Sequence, residues 1–385
     1  MKIESAGRAA VLMCLISFFQ GFCFYAPVAT LYRTSVGVTL TQVALIESVN
    51  YILVVALEVP MGAVCARLGY KWMLVLVNGM FFLSKLVFWQ AYTFGMFLLE
   101  RVMLAAVTAG FSGCDDAYLY LAAGPQRAQE VFGLYSACGT AGLVLSSAVF
   151  SAFFSADYRG AALWTALFYG AAALCALLLP PVPRTAADRG SFQKQLVGIV
   201  ENLREDPRFL LVLGSDVLLS ITGQTVTVFL AQLLYVRRGI PQQWLGVLYV
   251  MMTLCALSAG ASHWVRSRMG RHFAPGVFLL GAVGCLAAGL TRTPVLCVAG
   301  VFSLQFAWRV WEPYSAKLRN DNVRGGSRSV ILSGYSMAQN LATGGLSLAL
   351  GALADLWLTA ALLAAGGLAA LGAALIGLWQ NGSMK

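Results

Sequence analysis

The sequence has few charged residues, few histidines and no closely spaced cysteine pair. Of its 385 residues, 11% are charged and two are histidines, whereas a soluble domain carries roughly 25% charged residues. The nine cysteines include no C-x-x-C pair, so the sequence lacks the usual zinc-binding and thioredoxin-type motifs. These shortages exclude a water-soluble protein of this size, and we predict no metal and no cofactor.

Apolar residues take the place of the missing charge. They make up 59% of the chain, and the mean hydropathy is +0.76. A helix needs about 20 apolar residues to cross the hydrocarbon core of a bilayer, and about twelve such stretches fit into the chain with short loops between them. We therefore predict an all-α membrane protein with twelve transmembrane helices. The predicted spans are 9–31, 42–65, 72–92, 95–123, 131–155, 161–180, 208–235, 243–265, 273–290, 294–316, 329–354 and 356–379.

Lys and Arg are unevenly distributed between the predicted loops. With the N-terminus placed in the cytoplasm, 18 of the 26 fall on the inner side, 5 on the outer side and 3 within spans. Cytoplasmic loops of membrane proteins are enriched in these residues. We therefore expect both termini in the cytoplasm, and we interpret the net charge of +10 as this inner-side enrichment and not as a nucleic-acid-binding surface.

The middle loop divides the chain into two halves. A proline-rich segment at 180–183 ends the sixth predicted span, and an amphipathic helix with Phe192 and Leu196 on its apolar face follows. The segments Arg67-Leu68-Gly69 and Arg268-Met269-Gly270 recur at an offset of about 200 residues. We predict a six-helix bundle at 1–183, a cytoplasmic linker at 184–207 and a second six-helix bundle at 208–385.

Three segments carry a family resemblance. Gly62–Lys71 resembles the major facilitator signature G-x-x-x-D-x-x-G-R-R/K, with Gly62, Gly69 and the final cation Lys71 in place. Glu58–Gly62 matches E-x-P-x-G, and Ser112–Tyr120 matches S-G-x-x-x-A-x-x-Y, both typical of one bacterial branch of that superfamily. The chain resembles a major facilitator transporter along essentially its whole length. This resemblance implies two six-helix bundles in a bacterial cytoplasmic (inner) membrane, usually in a monomer.

The sequence also departs from the family pattern, and two of the departures bear on the cytoplasmic gate and on the direction of transport. Ala66 replaces the signature aspartate, which in the family is thought to help close the cytoplasmic side. The exporter signature of the fifth span contains Gly-Pro, whereas Gly139–Gly142 has no proline. The first departure puts the cytoplasmic latch in doubt, and the second weakens the resemblance to drug exporters.

Acidic residues within the spans are the candidates for ion coupling, because a charge in the bilayer is costly and usually functional. We expect one or more of four acids to carry the coupling proton, or alternatively all of them to brace the inner gate through salt bridges and helix caps. They are Glu58, Asp115, Asp116 and Asp216. Arg309 and Glu312 are three positions apart on one helix and are expected to pair. The gate candidates are Arg309, Glu312, Arg67, Lys71, Gly62 and Gly69.

The substrate cavity of this superfamily lies near the midplane of the bilayer. Polar, aromatic and basic residues at suitable depth are candidates for contacting the substrate, with helix packing as the alternative role for each. They are Tyr25, Gln20, Asn50, Phe111, Gln224, Gln305, Trp308, Lys85 and Arg101. Lys85 and Arg101 belong to an expected outer ion-pair layer with Glu47 and Glu100, and an anionic substrate could also use them.

Taken together, the residues and the resemblance predict a secondary transporter that moves a small organic molecule by alternating access. The first hypothesis is a proton-coupled exporter of a drug or metabolite, and the alternative is a proton-coupled nutrient importer. Sodium could replace the proton as the coupling ion. An intramembrane enzyme or receptor is a third hypothesis, but the sequence contains no catalytic constellation that would support it.

Overall fold

The computed structural model describes residues 2–112, 114–124, 127–182, 204, 206–322 and 328–382. Within these ranges the regular structure is helical, without strands. In the first half the α-helices are Lys2–Gly21, Ala29–Ser35, Leu40–Leu68, Tyr70–Gln90, Phe94–Phe111, Cys114–Ala123, Ala128–Val149 and Tyr158–Leu177. In the second half they are Phe209–Gln224, Ala231–Arg237, Leu245–Cys255, Ser262–Met269, Phe273–Leu290, Pro294–Asp321, Arg328–Leu356 and Leu358–Gly382.

These helices fill the positions of the twelve predicted spans. Ten stretches of the described chain are long and apolar enough to cross a membrane. One of them, Gln242–Leu290, is 49 residues long and contains the helices of both the eighth and the ninth predicted span. The eleventh span is the 29-residue helix Arg328–Leu356. The predicted all-α membrane fold is confirmed.

The chain divides into two compact units. The first contains Met1–Gly37, Val49–Arg189 and Gln242–Val250, and the second contains Val38–Ser48, Gly190–Pro241 and Met251–Lys385. The start of the second span therefore groups with the second unit. The predicted linker 184–207, with its amphipathic helix, falls almost wholly outside the described residues, so the bundle boundaries stay a prediction.

The first span is not one continuous helix. The helix Lys2–Gly21 ends before Pro27, which lacks a backbone N–H, and helical structure resumes in a 3₁₀ turn at Ala26–Val28. A break inside a bilayer frees backbone groups that water cannot satisfy. Here the Phe24 N–H donates to the Thr165 hydroxyl at 3.0 Å. The sixth span thereby stabilises the irregular segment of the first.

The fourth span is also broken, which the sequence analysis did not predict. The helix Phe94–Phe111 ends at Ser112, and a new helix runs over Cys114–Ala123. Ser112, whose ψ of 103° is not helical, is a poorer helix former than the Ala and Leu before it. The break places Asp115 and Asp116 in the first turn of the second helix.

Glycines allow the first and fifth spans of the first unit to pack in close contact. A Cβ atom at Gly142 would overlap the Phe18 carbonyl oxygen and lie 3.1 Å from the Gly21 Cα. Gly133, on the same helix as Gly142, faces open space, with nothing within 4 Å of an added Cβ. Small residues of this kind let membrane helices associate by close packing.

We expect Gly142→Ala to destabilise the protein and Gly133→Ala to leave it unchanged or slightly more stable. Overpacking costs about 1–3 kcal/mol, whereas alanine at an unhindered helical position gains up to about 1 kcal/mol over glycine. Unfolding in mixed detergent micelles measures both free energies. Equal effects of the two substitutions would contradict the close packing at Gly142.

Candidate functional site

A cluster of buried charges lies in the first unit. The Lys85 ammonium is 3.5 Å from Glu100 Oε1, and the Arg33 guanidinium is 3.9 Å from Glu100 Oε2. Lys85 also donates a hydrogen bond to the Tyr25 hydroxyl at 3.0 Å. None of the four residues is more than 5% exposed. Two cations therefore share one carboxylate in a site without access to bulk water.

Aromatic rings surround the Lys85 ammonium. Its nitrogen lies 5.0 Å from the centroid of Phe81, 5.3 Å from that of Tyr169 and 5.7 Å from that of Tyr25. The Tyr25 ring in turn stacks on Phe88 with centroids 4.0 Å apart. The negative faces of such rings attract a cation. The rings thus help to offset the cost of burying Lys85 and hold Tyr25, in the broken part of the first span, against the third span.

We expect Glu100→Gln to destabilise the fold strongly, because it leaves the buried Lys85 and Arg33 without their carboxylate. Removing one member of a buried pair costs about 3–5 kcal/mol. The control is Glu130→Gln, whose partner Arg127 is 3.4 Å away at an exposed site, where a pair is worth less than about 1 kcal/mol. Unfolding in mixed detergent micelles measures the free energy of unfolding of both variants. If Glu100→Gln lowers it no more than Glu130→Gln does, the structural role of Glu100 is contradicted.

The second unit holds a buried network around Asp216. Asp216 is 4% exposed; its Oδ1 accepts a hydrogen bond from the Trp311 indole N–H at 2.8 Å, and its Oδ2 lies 3.6 Å from Arg319. Arg319 also donates to Gln339 at 3.0 Å, and Gln339 donates to the Ser220 hydroxyl at 3.1 Å. The network joins the seventh, tenth and eleventh spans, and Asp216 is fully engaged in it.

Asp115 has different surroundings. Its Oδ1 accepts a hydrogen bond from the Asp116 backbone N–H at 2.9 Å, and its Oδ2 lies 3.4 Å from the Tyr135 hydroxyl. The side chain is half-buried, whereas that of Asp116 is exposed. Among the residues that the structure describes, no cation forms an ion pair with Asp115. Asp115 thus keeps neutral partners where Asp216 has a charged one.

The predicted gate residues are divided between the two units. Arg309 and Glu312 pair at 3.1 Å, with side chains 30% and 53% exposed. Glu58 is half-buried and Arg67 is exposed. The Lys71 ammonium lies 5.3 Å from the centroid of the Trp72 ring.

The two glycines of the signature lie at the junction of the second and third spans. Gly62 is a half-buried residue of the helix Leu40–Leu68. Gly69 follows that helix with a φ of +81°, a conformation that side chains other than glycine rarely adopt. It precedes the helix Tyr70–Gln90. The backbone conformation at position 69 therefore explains why this residue is glycine, whether or not the loop forms a gate.

Sequence comparison assigns the chain to a family. Residues 10–343 match the sequence model of the Major Facilitator Superfamily. The chain belongs to this superfamily. It is therefore a multi-pass membrane protein with a transporter fold. Comparison with curated proteins finds no match.

Solved structures of several facilitators share the fold. A mutant of the nucleoside transporter NupG superposes with a TM-score of 0.79 at 17% identity, over 96% of this chain and 99% of NupG. A bacterial homologue of the human lysosomal transporter Spinster gives 0.78 at 15%, over 99% and 97%. A D-xylose–proton symporter gives 0.72 at 15%, over 97% of each chain. At these identities the likeness shows the fold alone.

Some of the substrate candidates in this facilitator are engaged with neighbouring residues. Gln20 donates to the Asn78 side chain at 2.8 Å. Gln305 is 5% exposed, and its amide lies 3.5 Å from the Met252 carbonyl oxygen. Trp308 packs against Gly223, where an added Cβ would lie 2.6 Å from the indole.

The remaining candidates differ in how far their side chains are buried. Four of them, on the second, fourth and seventh spans, are half-buried: Asn50, Arg101, Phe111 and Gln224. Tyr25 and Lys85, by contrast, are buried in the charge cluster of the first unit.

Three engaged residues of this facilitator were missed by sequence reasoning. Arg33 and Arg319 fell in predicted loops and were counted there, yet each lies beside a buried carboxylate. Tyr135 is one of several tyrosines in the predicted spans, and nothing in the sequence around it indicates its contact with Asp115. A search for basic residues within two turns of a span end would have flagged both arginines, since long cationic side chains reach from helix ends.

Proposed function

We propose that this facilitator is a secondary transporter that exports a small organic molecule across a bacterial cytoplasmic membrane, coupled to protons. Family membership and the solved neighbours favour a transporter over an enzyme or receptor. Alternating access in this fold needs no cofactor, and we take a monomer with cytoplasmic termini as the working unit. Sodium is the alternative coupling ion.

The observation that carries the coupling proposal is the contrast between Asp115 and Asp216. A protonated Asp115 can keep both of its contacts, because its carbonyl oxygen still accepts from the Asp116 N–H and its hydroxyl can donate to the Tyr135 oxygen. Protonating Asp216 would instead remove the carboxylate that pairs with Arg319. Asp115 is thus the acid that gains and loses a proton with least disruption.

The broken fourth span strengthens the case for Asp115. Discontinuous helices in transporters line the substrate and ion path, because their freed backbone ends need polar partners. Asp115 lies in the first turn of the helix Cys114–Ala123, and the preceding helix ends at Ser112. Neither Glu58, in the continuous helix Leu40–Leu68, nor Glu312, in the helix Pro294–Asp321, occupies such a position.

Export is favoured by the broad family resemblance and by the acidic residues within the spans, and import remains the second candidate. The absence of Gly-Pro in the fifth span supports import. Uptake into inverted vesicles with an acidic interior would indicate proton-driven export. Uptake into right-side-out vesicles in an acidic medium would indicate symport into the cell.

We expect Asp115→Asn to abolish substrate-driven proton movement in proteoliposomes while substrate binding survives. The neighbouring substitution Asp116→Asn serves as the matched control and is expected to keep coupling, because Asp116 is exposed. Internal pH is followed with a trapped dye. A nucleoside, D-xylose, a peptide and an organic anion form the first substrate panel, after the substrates of structural neighbours.

Coupling that survives Asp115→Asn would contradict the assignment. If Asp216→Asn abolished it instead, the proton would bind within the Arg319 network. If both variants kept coupling, Asp115 and Asp216 would have structural roles only. Substrate flux that follows an imposed sodium gradient, without proton movement, would identify sodium as the coupling ion.

A further inference from the structure

Two cysteines of the first unit hold their thiols against each other. The Cys65 thiol donates a hydrogen bond to the Cys114 sulfur at 3.8 Å, and the Cys114 thiol donates to the Tyr70 carbonyl oxygen at 3.8 Å. Cys65 is 8% exposed and Cys114 is 0% exposed. A buried cysteine usually serves as a small apolar residue, but two thiols in direct contact can also be oxidised together.

Both cysteines lie near the ends of helices. Cys65 is three residues from the end of the helix Leu40–Leu68, and Cys114 is the first residue of the helix Cys114–Ala123. The terminal backbone groups of a helix lack partners within it, so a small shift costs less there than in the middle. A disulfide bond is about 2.05 Å long, which requires the two sulfur atoms to approach by about 1.8 Å.

A second thiol contact in the first unit lacks this freedom. The Cys14 and Cys138 thiols form a side-chain hydrogen bond, but both residues lie in the interior of continuous helices, Lys2–Gly21 and Ala128–Val149. Every backbone group there is held by the helix on both sides. Of the two contacts, the one between Cys65 and Cys114 is therefore the better placed to close into a disulfide.

The order of oxidation follows from the difference in exposure. The three residues after Cys65 are exposed, so a small neutral hydroperoxide reaches Cys65 before it reaches Cys114. The Cys65 thiolate attacks an oxygen of the hydroperoxide, the O–O bond breaks, and an alcohol or water leaves with the thiol proton. Cys65 is then a sulfenic acid.

The second step closes the disulfide. The Cys114 sulfur attacks the Cys65 sulfur, the S–O bond breaks, and the hydroxide leaves as water with the Cys114 proton. The two thiols have then lost two electrons and two protons, and the hydroperoxide has gained the two electrons. The product joins the second span to the helix that carries Asp115, directly beside that residue.

We propose that Cys65 and Cys114 form a redox-sensitive thiol pair, which a hydroperoxide oxidises to a disulfide that stops proton coupling. The effect on coupling rests on the proposed function of Asp115, whereas formation of the disulfide does not. A covalent bond at Cys114 fixes the start of the Asp115 helix, and a coupling acid has to meet water from alternate sides. Both cysteines are predicted to lie toward the cytoplasm, where the disulfides that do form are usually transient and redox-sensing.

The chemical test adds hydrogen peroxide to the purified, reduced protein in lipid nanodiscs. Peptide mass spectrometry without reduction identifies the joined cysteines, and dimedone traps any sulfenic acid. We expect a disulfide between Cys65 and Cys114 in the parent, and trapped sulfenic acid at Cys65 in Cys114→Ala. In Cys65→Ala we expect Cys114 to stay unlabelled. Absence of the joined peptide from the parent, or labelling of Cys114 in Cys65→Ala, would overturn the proposal.

The functional test follows substrate-driven proton movement in proteoliposomes, with the substrate panel described above. We expect peroxide to remove most of this movement in the parent and dithiothreitol to restore it, whereas Cys65→Ala keeps it in peroxide. The matched control is Cys175→Ala, a half-buried cysteine that packs against the same core, and it is expected to stay as sensitive as the parent.

Sensitivity to peroxide that persists in Cys65→Ala would overturn the proposal, because oxidation elsewhere, for example at Cys14 and Cys138, would then stop coupling. A disulfide that forms in the parent and leaves proton movement unchanged would overturn the control of coupling. Proton movement that is absent before peroxide is added would contradict the proposed function alone, since mass spectrometry detects the disulfide without substrate or a proton gradient.

Discussion

The structure depends on one constraint, namely that the bilayer interior offers no water to pair with a buried polar group. Every break in a span and every buried charge therefore needs a partner from the protein. The break in the first span is met by the Thr165 hydroxyl. The two buried cations Arg33 and Lys85 are met by Glu100 and by aromatic rings. These partners come from different spans, so satisfying them also fixes how the helices of the first unit pack.

The same constraint separates the acidic residues by role. Glu100 and Asp216 lie beside cations in buried sites, where loss of the negative charge would leave a cation behind. Such acids suit a structural role. Asp115 has only neutral hydrogen-bond partners, which tolerate either protonation state. A coupling group must change its charge during every cycle, and Asp115 can do so without a second group losing its counter-charge.

Hydropathy predicted the spans well, because the length of an apolar run is set by the thickness of the bilayer and is read without knowledge of neighbours. Breaks within a span were harder to predict, because the end of the helix at Ser112 depends on small differences in helix propensity. Contacts between side chains on different helices were the hardest feature to predict from the sequence. Asp355 accepts a hydrogen bond from the Leu40 N–H more than 300 residues away, and Arg319 falls outside the predicted span 294–316 although its guanidinium reaches the buried Asp216. Partners on different helices leave no periodic signal in one sequence.

The central claim is that Asp115 changes its protonation state in the folded protein. Infrared difference spectroscopy of the protein in lipid, recorded as the pH is stepped across the range in which it transports, measures the carboxyl C=O band directly. The account predicts a band that is lost in Asp115→Asn and kept in Asp116→Asn. A band that persists in Asp115→Asn and disappears in Asp216→Asn would contradict it.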